Sequence, residues 1–239
     1  MRSTTATVLL WIVLGPFGVF CLVWAFIFVA RGAFLSAVVA LGFAIFALGF
    51  ILMLAIIALR KVKPRVALED GGIMVRPDRR VDILLTAATF GCFVAMACYA
   101  IFAPLDMLGI RVPRNDERYF VFACVAGVLA GVFSVRQIIR RRGTSYVRLT
   151  ADGFELGNTV SSVTRSWSEV TEIADRPQKA RHSTGTTYIT ARDGGTRILP
   201  SDWYTPSGHA LRELVRFYWK NPENRVELAD GRALQRLES

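Results

Sequence analysis

The side chains able to do chemistry are few and scattered along the chain. His182 lies in a polar stretch and His209 just ahead of an amphipathic run; these are the two histidines of the sequence. Neither has a second ligand or a base at the spacing of HExxH, GxSxG or a phosphate-binding lysine loop, so neither builds a local hydrolytic, metal or nucleotide site. The four cysteines, Cys21, Cys92, Cys98 and Cys124, all fall inside apolar runs, with no CxxC and no other ligand type beside them. Free cysteine in such surroundings packs as a small hydrophobe. Ser161, Ser162 and Ser166 have the texture of strand and turn, and Gly194-Gly195 after Asp193 reads as a hairpin turn rather than a phosphate cradle. The inventory points away from an enzyme and calls for no cofactor and no metal.

Basic side chains are the stronger signal. Arg140, Arg141 and Arg142 close the last apolar run, and Arg176, Lys179 and Arg181 share the segment 175–184 with His182 and Asp175. A Lys or Arg held near an anionic membrane surface contributes ~1 kcal/mol of attraction. Both groups are therefore candidate lipid or partner contacts. For the first, an orientation signal is the plainer role; for the second, a solvated hairpin tip is.

The elements that must position these residues follow from composition. Of 239 residues 53% are hydrophobic and only 20% charged, and the mean hydropathy of +0.38 exceeds that of ordinary soluble domains. The apolar residues crowd into four runs, about 6–30, 33–59, 83–105 and 119–140, each long enough to cross a hydrocarbon core at about 20 residues per span. The first is longer than a signal-peptide core and lacks a small-residue cleavage site, which predicts a retained anchor. The expected organisation is a transmembrane region over 1–142, with a basic loop at 60–82 that reads as a β-hairpin, and a cytoplasmic domain over 143–239.

The formal charge of +10 is not a nucleic-acid signal. Residues 1–142 hold 16 basic and 7 acidic side chains, whereas residues 143–239 hold 13 and 12. A nucleic-acid module needs its cations on the aqueous domain; here they flank apolar helices and report orientation instead. With the amino terminus inside, twelve basic residues lie on the inner side and four, Arg31, Arg111, Arg114 and Arg118, on the outer. This bias predicts a multi-pass membrane protein with both termini cytoplasmic. The outer turn at Arg31-Gly32 leaves no room for a site, so function is expected at the cytoplasmic face.

The spans carry no ionisable group other than cysteine and tyrosine before Arg136, which argues against a proton or polar-substrate pathway. Pro16 is either a kink or a helix break serving such a path. Small residues recur every fourth position at Ala87, Gly91 and Ala95, and again at Ala123, Gly127 and Gly131. Such faces let helices approach closely, and serve either packing of spans three and four or a homodimer seam.

Setting Arg65–Val75 over Tyr146–Leu156 gives a gapless match at an offset of 81, with Val66 on Val147, Leu68 on Leu149, Gly72 on Gly153, Ile73 on Phe154 and Val75 on Leu156. Each copy has alternating apolar residues around a glycine turn, the pattern of two short strands. Duplication and two independent hairpins both produce it. If it is a repeat, the strands of the 60–82 loop are placed to dock on the edge of the carboxy-terminal sheet.

From Tyr146 onward, alternating segments and Gly-containing turns predict an antiparallel sheet of about six strands. A helix follows, with Thr205 as cap, Pro206 in its first turn, and Leu211, Leu214, Val215 and Tyr218 on one face. Arg212, Arg216 and Lys220 fall on the other, and Asn221-Pro222 ends the helix. Trp167 and the apolar helix face are expected in the core, Phe217 and Trp219 beside it. With Leu149-Thr150-Ala151-Asp152-Gly153-Phe154 opening the sheet, Ser166-Trp167-Ser168-Glu169-Val170 in its middle and Gly195-Thr196-Arg197-Ile198-Leu199-Pro200 near its end, residues 145–221 resemble the bacterial pleckstrin-homology-like domain. The whole arrangement resembles uncharacterised actinobacterial membrane proteins.

The fold class expected is thus four transmembrane helices, as two hairpins, plus a cytoplasmic α+β domain of antiparallel sheet capped by one helix. The resemblance implies binding of a protein, peptide or lipid headgroup; it maps no invariant binding motif onto this chain, and fold alone does not choose among ligands. The leading expectation is a non-enzymatic membrane adaptor or scaffold whose partners are membrane lipids and a protein, with a homodimer as a further possibility and no nucleic acid. The alternatives are an accessory subunit of a larger membrane complex and a transport or lipid-handling component.

Overall fold

A computed structural model describes residues 3–69, 71–110, 114–141, 143–158, 161–176 and 185–238. The chain forms two compact units. One joins Met1–Leu54 to Ile83–Thr144; the other joins Ala55–Asp82 to Ser145–Ser239. Residues of the 60–82 loop thus belong spatially with the carboxy-terminal domain.

The first unit is built from α1 (Ser3–Ala30), most of α2 (Phe34–Ala58), most of α3 (Arg79–Phe102) and α4 (Arg114–Arg141). All four are long and apolar enough to cross a membrane. α1 continues through Pro16 without interruption. It ends where Gly32, at φ 72°, lets the Gly32 and Ala33 amides fold back onto the Val29 and Phe28 carbonyls, a left-handed cap that only glycine adopts without strain. The α1–α2 hairpin is tight as expected, with Gly18 lying against Ala47 and Leu48. Beyond α3, the Gly109 amide donates to Ser36 Oγ at 2.8 Å and Ile110 packs on the Ala25–Phe28–Ala37–Ala40 cluster, which ties the second outer segment to the first hairpin. The four cysteines are free thiols.

Small residues set the helix contacts. Gly42 of α2 lies so close to the Gly91 carbonyl and Ala95 that a Cβ there would meet them at 2.5 and 2.8 Å. The Gly91–Ala95 face of α3 is therefore turned to α2. Gly127 and Gly131 of α4 receive Met96 and Phe93 of α3, while Ala87 and Ala123 are exposed. The two small-residue stripes are turned to different neighbours within the chain, Gly91 and Ala95 to Gly42 of α2 and Gly127 and Gly131 to Met96 and Phe93 of α3.

Among the described residues the second unit has the hairpin expected in the 60–82 loop and the six strands expected from Tyr146 onward, but in two sheets rather than one. β1 (Arg65–Glu69), β2 (Gly72–Arg76), β3 (Tyr146–Thr150), β4 (Gly153–Gly157) and β5 (Ser162–Ser166) form an antiparallel sheet in that order, and β6 (Val170–Ala174), β7 (Thr187–Ala191) and β8 (Thr196–Leu199) form a second. The difference arises because Trp167–Glu169 is a 3-10 turn, started by the Ser166 side chain, that separates β5 from β6. The matched segments at an offset of 81 coincide strand for strand, and their hairpins share one register: Leu68 pairs with Ile73 as Leu149 pairs with Phe154. β2 lies antiparallel to β3, with Ile73 opposite Leu149 and Val75 opposite Val147.

α5 (His209–Lys220) follows a 3-10 turn over Pro206–Gly208 and ends at Asn221. Its Leu211, Leu214, Val215 and Tyr218 are buried. They join Trp167, Phe154, Ile189 and the β2 residues Ile73 and Val75 in one core. Two short helices absent from the sequence expectation, α6 (Glu227–Asp230) and α7 (Ala233–Glu238), complete the chain, and they bring Leu228 and Ala233 into the same core, both fully buried.

Candidate functional site

Two arrangements stand out in the sheet-containing unit. The first is a polar knot where the residues following α2, those opening α3 and those preceding β3 converge. Asp78 caps α3, accepting from the Arg80 amide at 2.7 Å and from the Lys63 amide at 2.8 Å. An aspartate at this position satisfies helix amides that have no intrahelical partner. Arg65 donates to Asp82 at 2.8 Å and to the Pro77 carbonyl at 2.9 Å. The Asp78 amide in turn donates to the Trp203 carbonyl, and the Tyr204 hydroxyl donates to Ser145 Oγ at 3.0 Å. Burial, with the Asp82 charge adding to it, pushes the Tyr204 phenol well above its ordinary range. The knot fixes chain segments that are distant in sequence.

The second arrangement is a groove of about 570 Å³ along the outer side of α5, bordered by α7. His209, Glu213, Phe217 and Lys220 line it at intervals that lay them along one side of the helix. Arg236 crosses from α7, with its guanidinium 4.2 Å from the centre of the Phe217 ring, and holds Glu227 through two bonds of 2.6 and 2.9 Å. That pairing keeps the Glu227 carboxyl below its ordinary range. Arg216 is anchored to Glu213 at 2.8 Å and to the Ile173 carbonyl at 3.0 Å. Lys220 is exposed. The groove therefore offers an aromatic face and three cations, of which Arg216 is paired with Glu213 and Arg236 with Glu227, leaving a net positive charge carried by Lys220. Such a surface suits a segment with an apolar side chain flanked by acidic groups.

Arg212 departs from the sequence expectation. It was expected with Arg216 and Lys220 on the polar face, but its side chain is 6% exposed and faces Asp175 at 3.9 Å. Asp202, in the turn before α5, has a carboxyl pushed up to about 6 by burial, against the opposing effect of the Asp202 and Trp203 amides.

The basic candidates divide between the two units. Arg140 is exposed near the end of α4, and Arg176 is exposed just after β6. The Arg141 side chain, Arg142, Lys179, Arg181 and His182 lie outside the described residues. The groove was only partly legible in the sequence: Phe217 was expected beside the core, but Arg236 is nineteen positions away on a helix whose turn no periodicity announced. Among the described residues no three His, Cys, Asp or Glu side chains group as metal ligands. No protein-family model, curated protein or solved structure matches the chain.

Proposed function

We propose that this protein is a non-enzymatic integral membrane adaptor, and that its cytoplasmic domain, of pleckstrin-homology-like design, receives an acidic, aromatic- or aliphatic-bearing segment of a protein partner in the α5–α7 groove. In this reading α1–α4 cross the bacterial plasma membrane and both termini are cytoplasmic. Their surfaces support it: the fraction of each span buried is 22%, 28%, 22% and 6% along the chain, leaving Phe26, Ile12, Phe122 and Phe133 outward. Soluble proteins do not present apolar surface on that scale. The β2–β3 pairing supports a shared side for the 60–82 loop and the carboxy-terminal domain, because a strand before α3 and a strand after α4 share one sheet, so α3 and α4 must either both cross the membrane or both stay out; that this side is the cytoplasm rests on the charge bias. Two antiparallel sheets followed by an amphipathic helix on their core agree with the resemblance.

The observation that carries the partner reading is the groove itself, a preformed concavity outside the core with an aromatic face and excess positive charge. The test is a photo-cross-linking residue placed at Lys220, or at Thr196 as a control, in the full chain in its native membrane. A single discrete adduct from position 220, absent from 196 and weakened by rising salt, is expected for an acidic partner. Equal adducts from both positions, or none from 220, would overturn the assignment.

A further inference from the structure

A second concavity lies in the helical unit. It has a volume of about 390 Å³ and is lined by Phe93 of α3 and by Val132, Val135, Arg136, Ile139 and Arg140 of α4. The α4 residues fall at i, i+3, i+4, i+7 and i+8, one side of a helix. Its floor follows from Gly131: a Cβ there would meet the Phe93 ring at 2.8 Å, so the ring rests against the α4 backbone. Beyond it the small-residue spacing gives way to Val135. Val132 and Ile139 remain exposed. From Val132 to Arg140 the groove spans roughly 12 Å at 1.5 Å per residue, comparable to one leaflet's share, about 15 Å, of a hydrocarbon core. Its polar end holds two exposed guanidiniums one helical turn apart, and among the described residues neither makes an ion pair or hydrogen bond.

An apolar channel of this length ending in two unpaired arginines has the polarity of a phospholipid. We propose that the α3–α4 groove binds one anionic glycerophospholipid, its phosphate between Arg136 and Arg140 and an acyl chain along Phe93, Val132 and Ile139. Arginine suits this role because its planar fork engages phosphate oxygens in pairs. The site goes beyond the adaptor reading. It rests on α3 and α4 spanning a membrane and not on the α5–α7 groove.

The test is native mass spectrometry of the full-length protein in mild detergent, titrated with dioleoyl phosphatidylglycerol or dioleoyl phosphatidylcholine. One phosphatidylglycerol should be retained in preference to phosphatidylcholine. Arg136→Gln with Arg140→Gln should weaken that retention roughly 30-fold, on the basis of two near-surface cations. Val135→Trp, which fills the channel and keeps both charges, should also weaken it, whereas Lys220→Gln should not. Equal retention of the two lipids, or retention unchanged in the double variant or in Val135→Trp, would overturn the site. If those results came from a protein that alkaline carbonate still left in the membrane, the spanning reading would survive the loss of the site; release by carbonate would overturn both.

Discussion

Single side chains carry two separable loads in the sheet-containing unit, and each can be measured. Asp78 supplies the cap of α3 and receives the Lys63 amide as well, so Asp78→Ala should destabilise the unit by about 1–2 kcal/mol, the upper part of the range for losing a capping aspartate. A lowered Tm of the detergent-solubilised chain, with Asp78→Asn losing less, checks it. Asp202 acts in the opposite sense. Its carboxyl is raised from 3.8 to about 6 in the fold, so the native state holds the proton more tightly than the unfolded chain. The stabilisation from that proton is fully present below about pH 4 and is lost as pH rises through 6. Asp202→Asn should therefore raise Tm at pH 7.5 and flatten the profile between these limits; a profile unchanged from that of the parent protein would refute the assignment. Residues whose environment is local were legible in the sequence: Trp167, Leu211, Leu214 and Tyr218 take the buried places that their spacing predicts. Arg212 was not, because its burial depends on Asp175, thirty-seven positions earlier in the chain.

At the scale of elements, periodicity and turns located the four helices, the strand segments and α5, while pairing across long separations lay beyond them. The offset of 81 foretold two equivalent hairpins and, taken as a repeat, docking of the loop's strands on the edge of the carboxy-terminal sheet; that the pair would be β2 on β3 is encoded by no local pattern. α6 and α7 are short, and their contribution is contact with distant strands rather than internal helix stability, which is marginal at four to six residues. Ending the chain at Asn221 would strip Leu228 and Ala233 from the core. Amide exchange in β2 and β3 should then accelerate before exchange in β7; uniform acceleration throughout the unit would contradict this order. Between the helices, Gly42→Leu would force α2 away from Gly91 and Ala95. Overpacking of this kind typically costs about 1–3 kcal/mol, so a lower Tm in detergent is expected, and an unchanged one would show that the α2–α3 contact yields without strain.

For the molecule as a whole, the β2–β3 pairing makes the sheet-containing domain a product of two distant parts of the chain, one lying between the helical hairpins and one after them. That domain is joined to the helical unit through two stretches of chain rather than hung from one linker. The shared sheet keeps its two parts on one side of the helices, and the charge bias favours that side being the cytoplasm, which is the condition for the proposed α5–α7 groove to meet a cytoplasmic partner. The most direct test is labelling of single cysteines by a membrane-impermeant maleimide in right-side-out vesicles, with Cys21, Cys92, Cys98 and Cys124 changed to Ala. Arg31→Cys and Met107→Cys should label in intact vesicles, whereas Leu68→Cys and Thr196→Cys should label only after permeabilisation. Labelling of Leu68→Cys and Thr196→Cys from outside, or of the two on opposite sides, would contradict a four-span protein with a single cytoplasmic domain.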